Sequence, residues 1–229
     1  MRSDVLGFRG QAIEIPDVRV LNTVDRQGLN IDTAHKHPHT HGQFAAGRPD
    51  GICFHDTVTA STKAGFYALL GRKDDAGVDM LLGSGLLVAQ DGTLYQIVPD
   101  LALVTWHASG WSTHKIGCDV VSLVDPKLAP ASPLVRAKTS WSERQGYLDY
   151  TEAQKATLRA FVPILCRAIG APFDCPRDPS GAPATRGYGK GPVKGLVPGK
   201  FKGCIGHAQV SKVRWDGNCA LETLFGSDG

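Results

Sequence analysis

Two short apolar segments, each ending on a histidine, constrain the fold of this chain more than any other feature. Residues 51–55 read Gly-Ile-Cys-Phe-His, and residues 203–207 read Gly-Cys-Ile-Gly-His. Short apolar runs with a polar end are typical of buried strands. Because each strand carries its histidine at the carboxyl end, His55 and His207 can converge at one edge of a sheet although they are far apart in the chain.

Three further segments have clear local patterns. Residues 80–98 contain two apolar runs around an Asp-Gly pair, which predicts a β-hairpin. The apolar, β-branched run at 115–123 predicts a central strand. Thr151-Glu-Ala-Gln154 is a capping box followed by apolar residues at helical spacing, so we expect a helix that stops at Gly170.

The two least regular segments are the N-terminus and a basic loop. Residues 1–49 predict an irregular extension with one or two short strands, such as Gln11 to Ile15. Residues 174–202 are rich in Gly and Pro and hold six Lys or Arg residues, which predicts a long loop. The pattern leaves open whether this loop is functional or a solvated insertion. We predict one domain, 1–229, with its core at 50–223.

Charge and hydropathy exclude several classes of protein. The formal charge is only +3 and the basic residues are scattered, which disfavours a nucleic-acid partner. Neither a membrane-spanning run nor an apolar secretory signal is present, so we predict no membrane insertion and no signal peptide. The expectation is a protein that is cytoplasmic as synthesised.

The six cysteines are even in number but contain no CxxC pair, which disfavours a structural zinc knuckle. Pairing of Cys204 with Cys219, or of Cys166 with Cys175, would suit an oxidising destination. Buried free thiols are the alternative.

A histidine-rich tract lies in the N-terminal extension. His35, His37, His39 and His41 alternate strictly, so an extended backbone would place all four imidazoles on one side. Such a row could chelate a second metal or cap a groove. A surface tract that binds metal only adventitiously is the favoured alternative, and the tract is not part of the predicted site.

The two strand-end histidines suit a metal ion. A catalytic zinc takes three protein ligands and leaves the fourth position for water. Downstream of His207 the chain offers Asp216 and Cys219. We predict Asp216 as the third ligand and keep Cys219 as the alternative. Taken alone, each histidine would more often be a satisfied core or surface residue than a ligand.

The sequence motifs around these residues resemble those of a known protein family. Gly206-His-Ala-Gln-Val with Arg214-Trp-Asp216, taken with Cys53-Phe-His55-Asp-Thr, resembles the two metal-binding motifs of the N-acetylmuramoyl-L-alanine amidase family. That family includes phage lysozyme-type amidases and peptidoglycan recognition proteins. Segments beginning at Val88, Thr105 and Ile116 fall in the family's order. The resemblance spans about residues 50–223.

The resemblance implies an α/β fold with a mixed central β-sheet flanked by helices, of the amidase and peptidoglycan recognition protein type. It implies one Zn²⁺ ion, held by His55, His207 and Asp216. The implied reaction is hydrolysis of the amide bond between N-acetylmuramic acid and L-alanine in peptidoglycan or muropeptides. A non-catalytic peptidoglycan-binding module of the same fold is the alternative.

Four more residues take roles from the resemblance. Asp119 falls where one branch of the family has a glutamate that handles protons, although a strand aspartate paired with a base is the alternative. Arg214 replaces a lysine that helps to hold the oxyanion, or is a plain surface arginine. Trp106 and His107 resemble a Trp-His-Ala motif near the substrate groove and are predicted to bind substrate, with a supporting role in the site as the alternative for His107 and a plain core position as the alternative for Trp106. His107 is not expected as a fourth ligand, because a closed site would lose its water.

The biological setting stays open between an endolysin, a wall-recycling enzyme and an antibacterial effector delivered into a rival's periplasm. We expect a monomer that acts on the cell wall in the periplasm or after export or lysis. An inhibitor or immunity protein is a further expected partner. The basic loop at 174–202 could promote adhesion to an anionic envelope.

Overall fold

The structure is a computed structural model that describes residues 4–139, 141–142, 146–187 and 189–226. Within these residues the strands form one six-stranded sheet and three two-stranded ribbons. In chain order the strands are β1 (Val5–Phe8), β2 (Gln11–Glu14), β3 (Val20–Leu21), β4 (Thr40–Gln43), β5 (Ile52–Asp56), β6 (Leu86–Val88), β7 (Leu94–Gln96), β8 (Leu103–Thr105), β9 (Ile116–Val120), β10 (Val135–Arg136), β11 (Tyr147–Leu148) and β12 (Ile205–Gly206). The α-helices are α1 (Thr62–Phe66), α2 (Glu152–Ile169) and α3 (Asn218–Phe225).

The central sheet is mixed, with the strand order β12-β5-β9-β6-β7-β3. The first four strands in this order, β12, β5, β9 and β6, are parallel to one another. Strand β7 runs antiparallel to β6, and β3 runs parallel to β7. Every residue of β5 and β9 is buried. This is typical of parallel strands that are covered on both faces. The predicted fold class, an α/β protein with a mixed central sheet, is confirmed.

The predicted hairpin is present as β6 and β7, joined through Asp91-Gly92. Gly92 has a φ of +84°, and a Cβ atom at this position would lie 2.9 Å from the carbonyl oxygen of Ala153. The turn therefore needs glycine both for its backbone conformation and because the start of α2 presses against it. The predicted central strand is β9.

Helix α2 begins and ends where the sequence predicts. The Thr151 side chain accepts from the Gln154 N–H, the Gln154 side chain accepts from the Thr151 N–H, and Gly170 ends the helix in the left-handed conformation. Its apolar face, which includes Phe161 and Leu165, packs into the main core. Among the described residues, no helix is both long and apolar enough to cross a bilayer.

The N-terminal extension has more structure than predicted, because it contributes four strands. Strand β3 extends the central sheet by pairing with β7, and β4 pairs antiparallel with β8. These strands are two to four residues long. Runs that short contain too few alternations to show the period of a strand, so their positions are decided by long-range pairing.

Arg26 links the N-terminal extension to the rest of the protein through hydrogen bonds. Its side chain is fully buried, and its guanidinium donates to the carbonyl oxygens of Ala34, Lys36 and Ile97 at 2.8, 3.1 and 2.6 Å. A guanidinium carries five N–H donors, so one buried side chain can satisfy several buried carbonyl groups at once. Burial lowers the pKa of Arg26 to about 10.

The histidine tract does not form a single row. His37 turns inward, with its Nδ1 atom 2.7 Å from Nη2 of Arg26. His41 points elsewhere, with its ring edge-on to Trp106 at 5.1 Å between ring centroids. The expected one-sided arrangement is wrong because only the end of the tract lies in a strand, β4, whereas His35 lies in a turn.

The basic loop packs onto the body of the protein. Leu196 and Phe201 join a cluster that includes Trp111 and Ile205. Lys115, which is almost completely buried, donates to the carbonyl oxygen of Phe201 at 2.8 Å and forms an ion pair with Asp50. The end of this loop therefore packs against the body of the protein, whereas most of its described residues are exposed.

We predict that Arg26→Leu lowers the free energy of unfolding by about 3 kcal/mol, because three carbonyl groups lose their donor. Urea denaturation measures this change. Arg72→Leu is the matched control, because Arg72 is exposed, and we expect it to shift stability by less than about 0.5 kcal/mol. Equal effects of the two substitutions would contradict the role assigned to Arg26.

Candidate metal centre

The parallel pairing of β12 with β5 brings the two strand-end histidines together. Ile205 lies opposite Cys53 and Gly206 opposite Phe54, so His207 follows β12 beside His55. The Nδ1 atoms of His55 and His207 are 3.0 Å apart. The structure therefore places both imidazoles at one edge of the central sheet, as the sequence predicts.

Asp216 completes a group of three. Its Oδ2 atom lies 3.2 Å from Nδ1 of His207 and 3.3 Å from Nδ1 of His55. Asp216 is the residue before Gly217, which precedes helix α3. Its own carbonyl oxygen accepts from the Ala208 N–H at 3.0 Å, which holds the Asp216 segment next to His207.

Asp56, which is hydrogen-bonded to Tyr150, also holds the segment around Asp216 in place. The Gly217 N–H donates to Asp56 Oδ2 at 2.7 Å, and the Tyr150 hydroxyl donates to Asp56 Oδ1 at 2.7 Å. Gly217 has a φ of +87°, and a Cβ atom there would lie 2.3 Å from the Phe54 carbonyl oxygen. Burial raises the pKa of Asp56 to about 7, against the effect of these two hydrogen bonds. Sequence reasoning assigned no role to Asp56 or Tyr150.

The three donor atoms have the spacing of zinc ligands. Their separations are 3.0, 3.2 and 3.3 Å. Zinc–ligand bonds of about 2.0–2.1 Å at tetrahedral angles separate two ligand atoms by about 3.3 Å. Two imidazole nitrogens and a carboxylate oxygen are also ligand types that zinc accepts. The arrangement therefore fits a zinc ion with one of four positions left open.

The electrostatics of the group favour a charged carboxylate. Burial by itself raises the pKa of Asp216, but hydrogen bonds with His207 and His55 lower it well below the ordinary value. Burial lowers the pKa of His207, although its bond with Asp216 opposes this. Burial also lowers the pKa of His55, but Cys53, Asp216 and Asp119 together raise it above the ordinary value.

His107 lies behind His55. Its Nδ1 atom is 3.0 Å from Nε2 of His55, and its Nε2 atom is 2.9 Å from the carbonyl oxygen of Lys115. Burial lowers the pKa of His107 to about 3, and the neighbouring His55 adds to this, so the ring is neutral and carries one N–H. That N–H donates to the Lys115 carbonyl group from Nε2, so Nδ1 accepts from His55. His55 therefore carries a proton on Nε2, which leaves Nδ1 as the atom that would coordinate a metal ion next to Asp216 and His207.

A second group that could hold a metal ion shares His55. It contains Cys53, His55 and His107, whose donor atoms lie within 4.8 Å of one another. Cys53 is fully buried and packs against Trp111 and Ile205. An ion in this group would replace the direct contact between His107 and His55. The group of His55, His207 and Asp216 is the one that the sequence predicts.

Asp119 stands beside the metal-ligand candidates. It lies directly opposite His55 in the pairing of β5 with β9, and its Oδ2 atom accepts a hydrogen bond from the fully buried Ser84 hydroxyl. Burial raises the pKa of Asp119, although His55 and Ser84 act in the opposite direction. Sequence reasoning missed Ser84, because a serine between two glycines carries no signal for a site.

The remaining predicted residues differ in their solvent exposure. Arg214 is exposed, in the segment between His207 and Asp216, and its charge is one of the influences that lower the pKa of His207, after burial. Trp106 is 47% exposed and directly precedes His107. Cys219 is buried in the main core, where its thiol contacts the Leu148 carbonyl oxygen at 3.9 Å.

Several solved structures resemble this chain at low sequence identity. Peptidoglycan recognition protein SD of Drosophila has a TM-score of 0.48 and 11% identity, with 91% of this chain and 92% of that chain covered. PGRP-Hd from Alvinella pompejana has a TM-score of 0.43 and 15% identity, with 73% and 91% covered. The endolysin N-acetylmuramoyl-L-alanine amidase LysCS from Clostridium intestinale URNW has a TM-score of 0.38 and 13% identity, with 69% and 79% covered.

A search of curated protein sequences gave no significant match. In contrast, the family model described as N-acetylmuramoyl-L-alanine amidase matches residues 45–216. The match covers well over half of the chain and ends on Asp216, so it includes both strand-end histidines and the carboxylate beside them. The chain belongs to the N-acetylmuramoyl-L-alanine amidase family.

Proposed function

We propose that this protein is a zinc-dependent hydrolase that cleaves the amide bond between N-acetylmuramic acid and L-alanine in peptidoglycan or muropeptides. The observation that carries this proposal is the triangle of donor atoms from His55, His207 and Asp216, with sides of 3.0–3.3 Å. A zinc ion bound there supplies Lewis acidity, which polarises a carbonyl group and makes a water molecule acidic near neutral pH.

Asp119 is the proposed proton carrier. As a carboxylate beside the ligand triangle, it can accept a proton from the attacking water and return it to the leaving amine. Its lateral position next to His55 supports this role, and the Ser84 hydrogen bond fixes one carboxylate oxygen. Asp119 is shorter than glutamate, and its position opposite His55 on the neighbouring strand supports the proposal in spite of that.

Arg214 and Trp106 are proposed to act on the substrate. The exposed guanidinium of Arg214 lies in the segment that joins His207 to Asp216, where a permanent positive charge can stabilise negative charge on the carbonyl oxygen under attack. The indole of Trp106, exposed next to His107, offers an apolar face for the glycan or peptide.

We propose a positioning role for His107 in place of direct substrate binding. Both of its ring nitrogens contact protein groups, His55 and the Lys115 carbonyl oxygen. A metal-binding histidine usually donates its other N–H to a fixed acceptor, which sets its tautomer and ring orientation. His107 provides that acceptor for His55.

The substrate, the compartment, the oligomeric state and the partner are proposed as the sequence predicts them. Peptidoglycan or muropeptide as substrate, action in the periplasm or after export or lysis, a monomeric state and an inhibitor or immunity protein are all predictions. A non-catalytic peptidoglycan-binding module is the competing function. It shares the fold but does not need a complete ligand triangle.

We predict that His55→Ala, His207→Ala and Asp216→Ala each abolish zinc binding and release of dye from labelled cell wall. Elemental analysis measures the zinc, and we expect one ion per chain in the unaltered protein. Treatment with a chelator should stop release, and added Zn²⁺ should restore it. His35→Ala is the control, because His35 is exposed in the N-terminal extension. Wall binding without release, unchanged by the chelator, would establish the binding module instead.

Asp119→Asn is predicted to keep zinc but to lower kcat by about 10²- to 10⁴-fold, because the amide cannot accept the proton. Ser84→Ala should lower kcat in the same direction by a smaller factor. Steady-state kinetics on a soluble muropeptide measure both. Asp91→Asn, in the hairpin turn, is the control. An Asp119→Asn protein with unchanged kcat would leave Asp119 as a structural strand residue.

His107→Ala is predicted to weaken zinc binding by about 10- to 100-fold, because His55 loses its acceptor. His107→Gln should restore part of the affinity, since the side-chain oxygen of glutamine can accept from His55. Competition with a chromogenic chelator measures the affinity. Unchanged zinc affinity combined with a raised KM for muropeptide would instead support substrate binding by His107.

A further inference from the structure

Two of the six cysteines face each other across the core. The Sγ atoms of Cys166, on α2, and Cys204, immediately before β12, are 3.9 Å apart. Both residues are buried, and all six cysteines are free thiols in the structure. Neither pair suggested by the sequence, Cys204 with Cys219 or Cys166 with Cys175, is formed. The structure instead brings together one cysteine from each of those pairs.

We propose that Cys166 and Cys204 form a disulfide bond when this chain folds in an oxidising compartment. A disulfide requires its sulfur atoms to be about 2.05 Å apart, so each sulfur must move by about 1 Å. Rotation of the two side chains can provide a movement of this size. In the described chain, this is the cysteine pair whose sulfur atoms lie within hydrogen-bonding distance.

The bond can form by two thiol–disulfide exchanges with oxidised glutathione. The Cys166 thiolate attacks one glutathione sulfur, forms a mixed disulfide and releases one glutathione thiolate. The Cys204 thiolate then attacks the Cys166 sulfur and releases the second glutathione thiolate. The two protein thiols lose two protons and two electrons, and oxidised glutathione becomes two molecules of reduced glutathione.

In the folded protein the two thiols already interact with each other. A hydrogen bond from Cys204 lowers the pKa of Cys166, and Lys115 acts in the same direction. Because both thiols are buried, exchange takes place during folding, before α2 has closed over the sheet.

Cys175 is the competing partner for Cys204. It follows Asp174, whose carbonyl oxygen accepts from the Cys204 N–H at 2.7 Å, so its backbone is close. Its thiol nevertheless has no sulfur contact within hydrogen-bonding distance in the described chain, whereas that of Cys166 does. The geometry thus favours Cys166 over a cysteine that is somewhat closer in sequence to Cys204.

The bond would close the base of the basic loop. Cys166 and Cys204 lie on either side of residues 174–202, and Cys204 precedes His207 by three positions. A covalent link there would fix α2 to the strand that carries His207 and would restrict the loop in the unfolded chain. In a reducing compartment both residues would stay thiols. This inference does not depend on zinc or on the proposed reaction.

The test is to refold the full chain in a mixture of oxidised and reduced glutathione, block free thiols and map tryptic peptides by mass spectrometry. The six cysteines fall in six different tryptic peptides, so each linkage has its own mass. We expect peptide 160–167 linked to peptide 203–212. A protein that refolds with all six thiols free, or that links Cys204 to Cys175 or Cys219, would overturn the proposal.

Thermal unfolding provides a second measurement on the same samples. The oxidised protein should melt about 5–10 °C above the reduced protein. Cys166→Ala should abolish both this difference and the linked peptide, whereas Cys219→Ala should retain both. If Cys166→Ala does not fold, the peptide map of the unaltered chain still decides the question.

Discussion

The parallel pairing of β12 with β5 is the interaction on which the candidate site depends. Strand β12 contributes only Ile205 and Gly206, yet these two residues set the position of His207 against His55. A shift of one residue would turn His207 to the other face of the sheet. The register is held by the Asp216 segment, which bonds to Ala208 on one side and, through Gly217, to Asp56 on the other.

Behind the ligand triangle lies a second set of buried polar groups. His55 donates to His107, His107 donates to the Lys115 carbonyl group, and the Lys115 ammonium group bonds with Asp50 and the Phe201 carbonyl oxygen. Burial lowers the pKa of Lys115, although Asp50 opposes this. Because a buried charge is stable only when it is paired, Lys115 requires both Asp50 and the basic loop to be in place. The loop is thereby part of the support of the site.

The N-terminal extension lies almost entirely outside the family match, which begins at residue 45. It nevertheless provides an edge strand of the central sheet and a strand alongside β8. His41, from the latter strand, contacts the exposed Trp106. The surroundings of Trp106 are thus built partly from a segment that the family pattern does not cover, and the buried Arg26 holds that segment in place.

The sequence alone predicted the elements whose signals are local. The Asp-Gly turn, the capping box at Thr151 and the apolar runs that end on His55 and His207 each occupy a few consecutive residues, and the structure contains all of them. The family motifs also identified Asp216 as the third member of the group. Only the tertiary structure decided the contacts of Ser84 with Asp119, Asp56 with Gly217, Arg26 with His37 and Cys166 with Cys204. Each of these joins side chains whose packing depends on the fold, and a single polar or thiol residue has no periodicity by which its partner can be recognised in sequence.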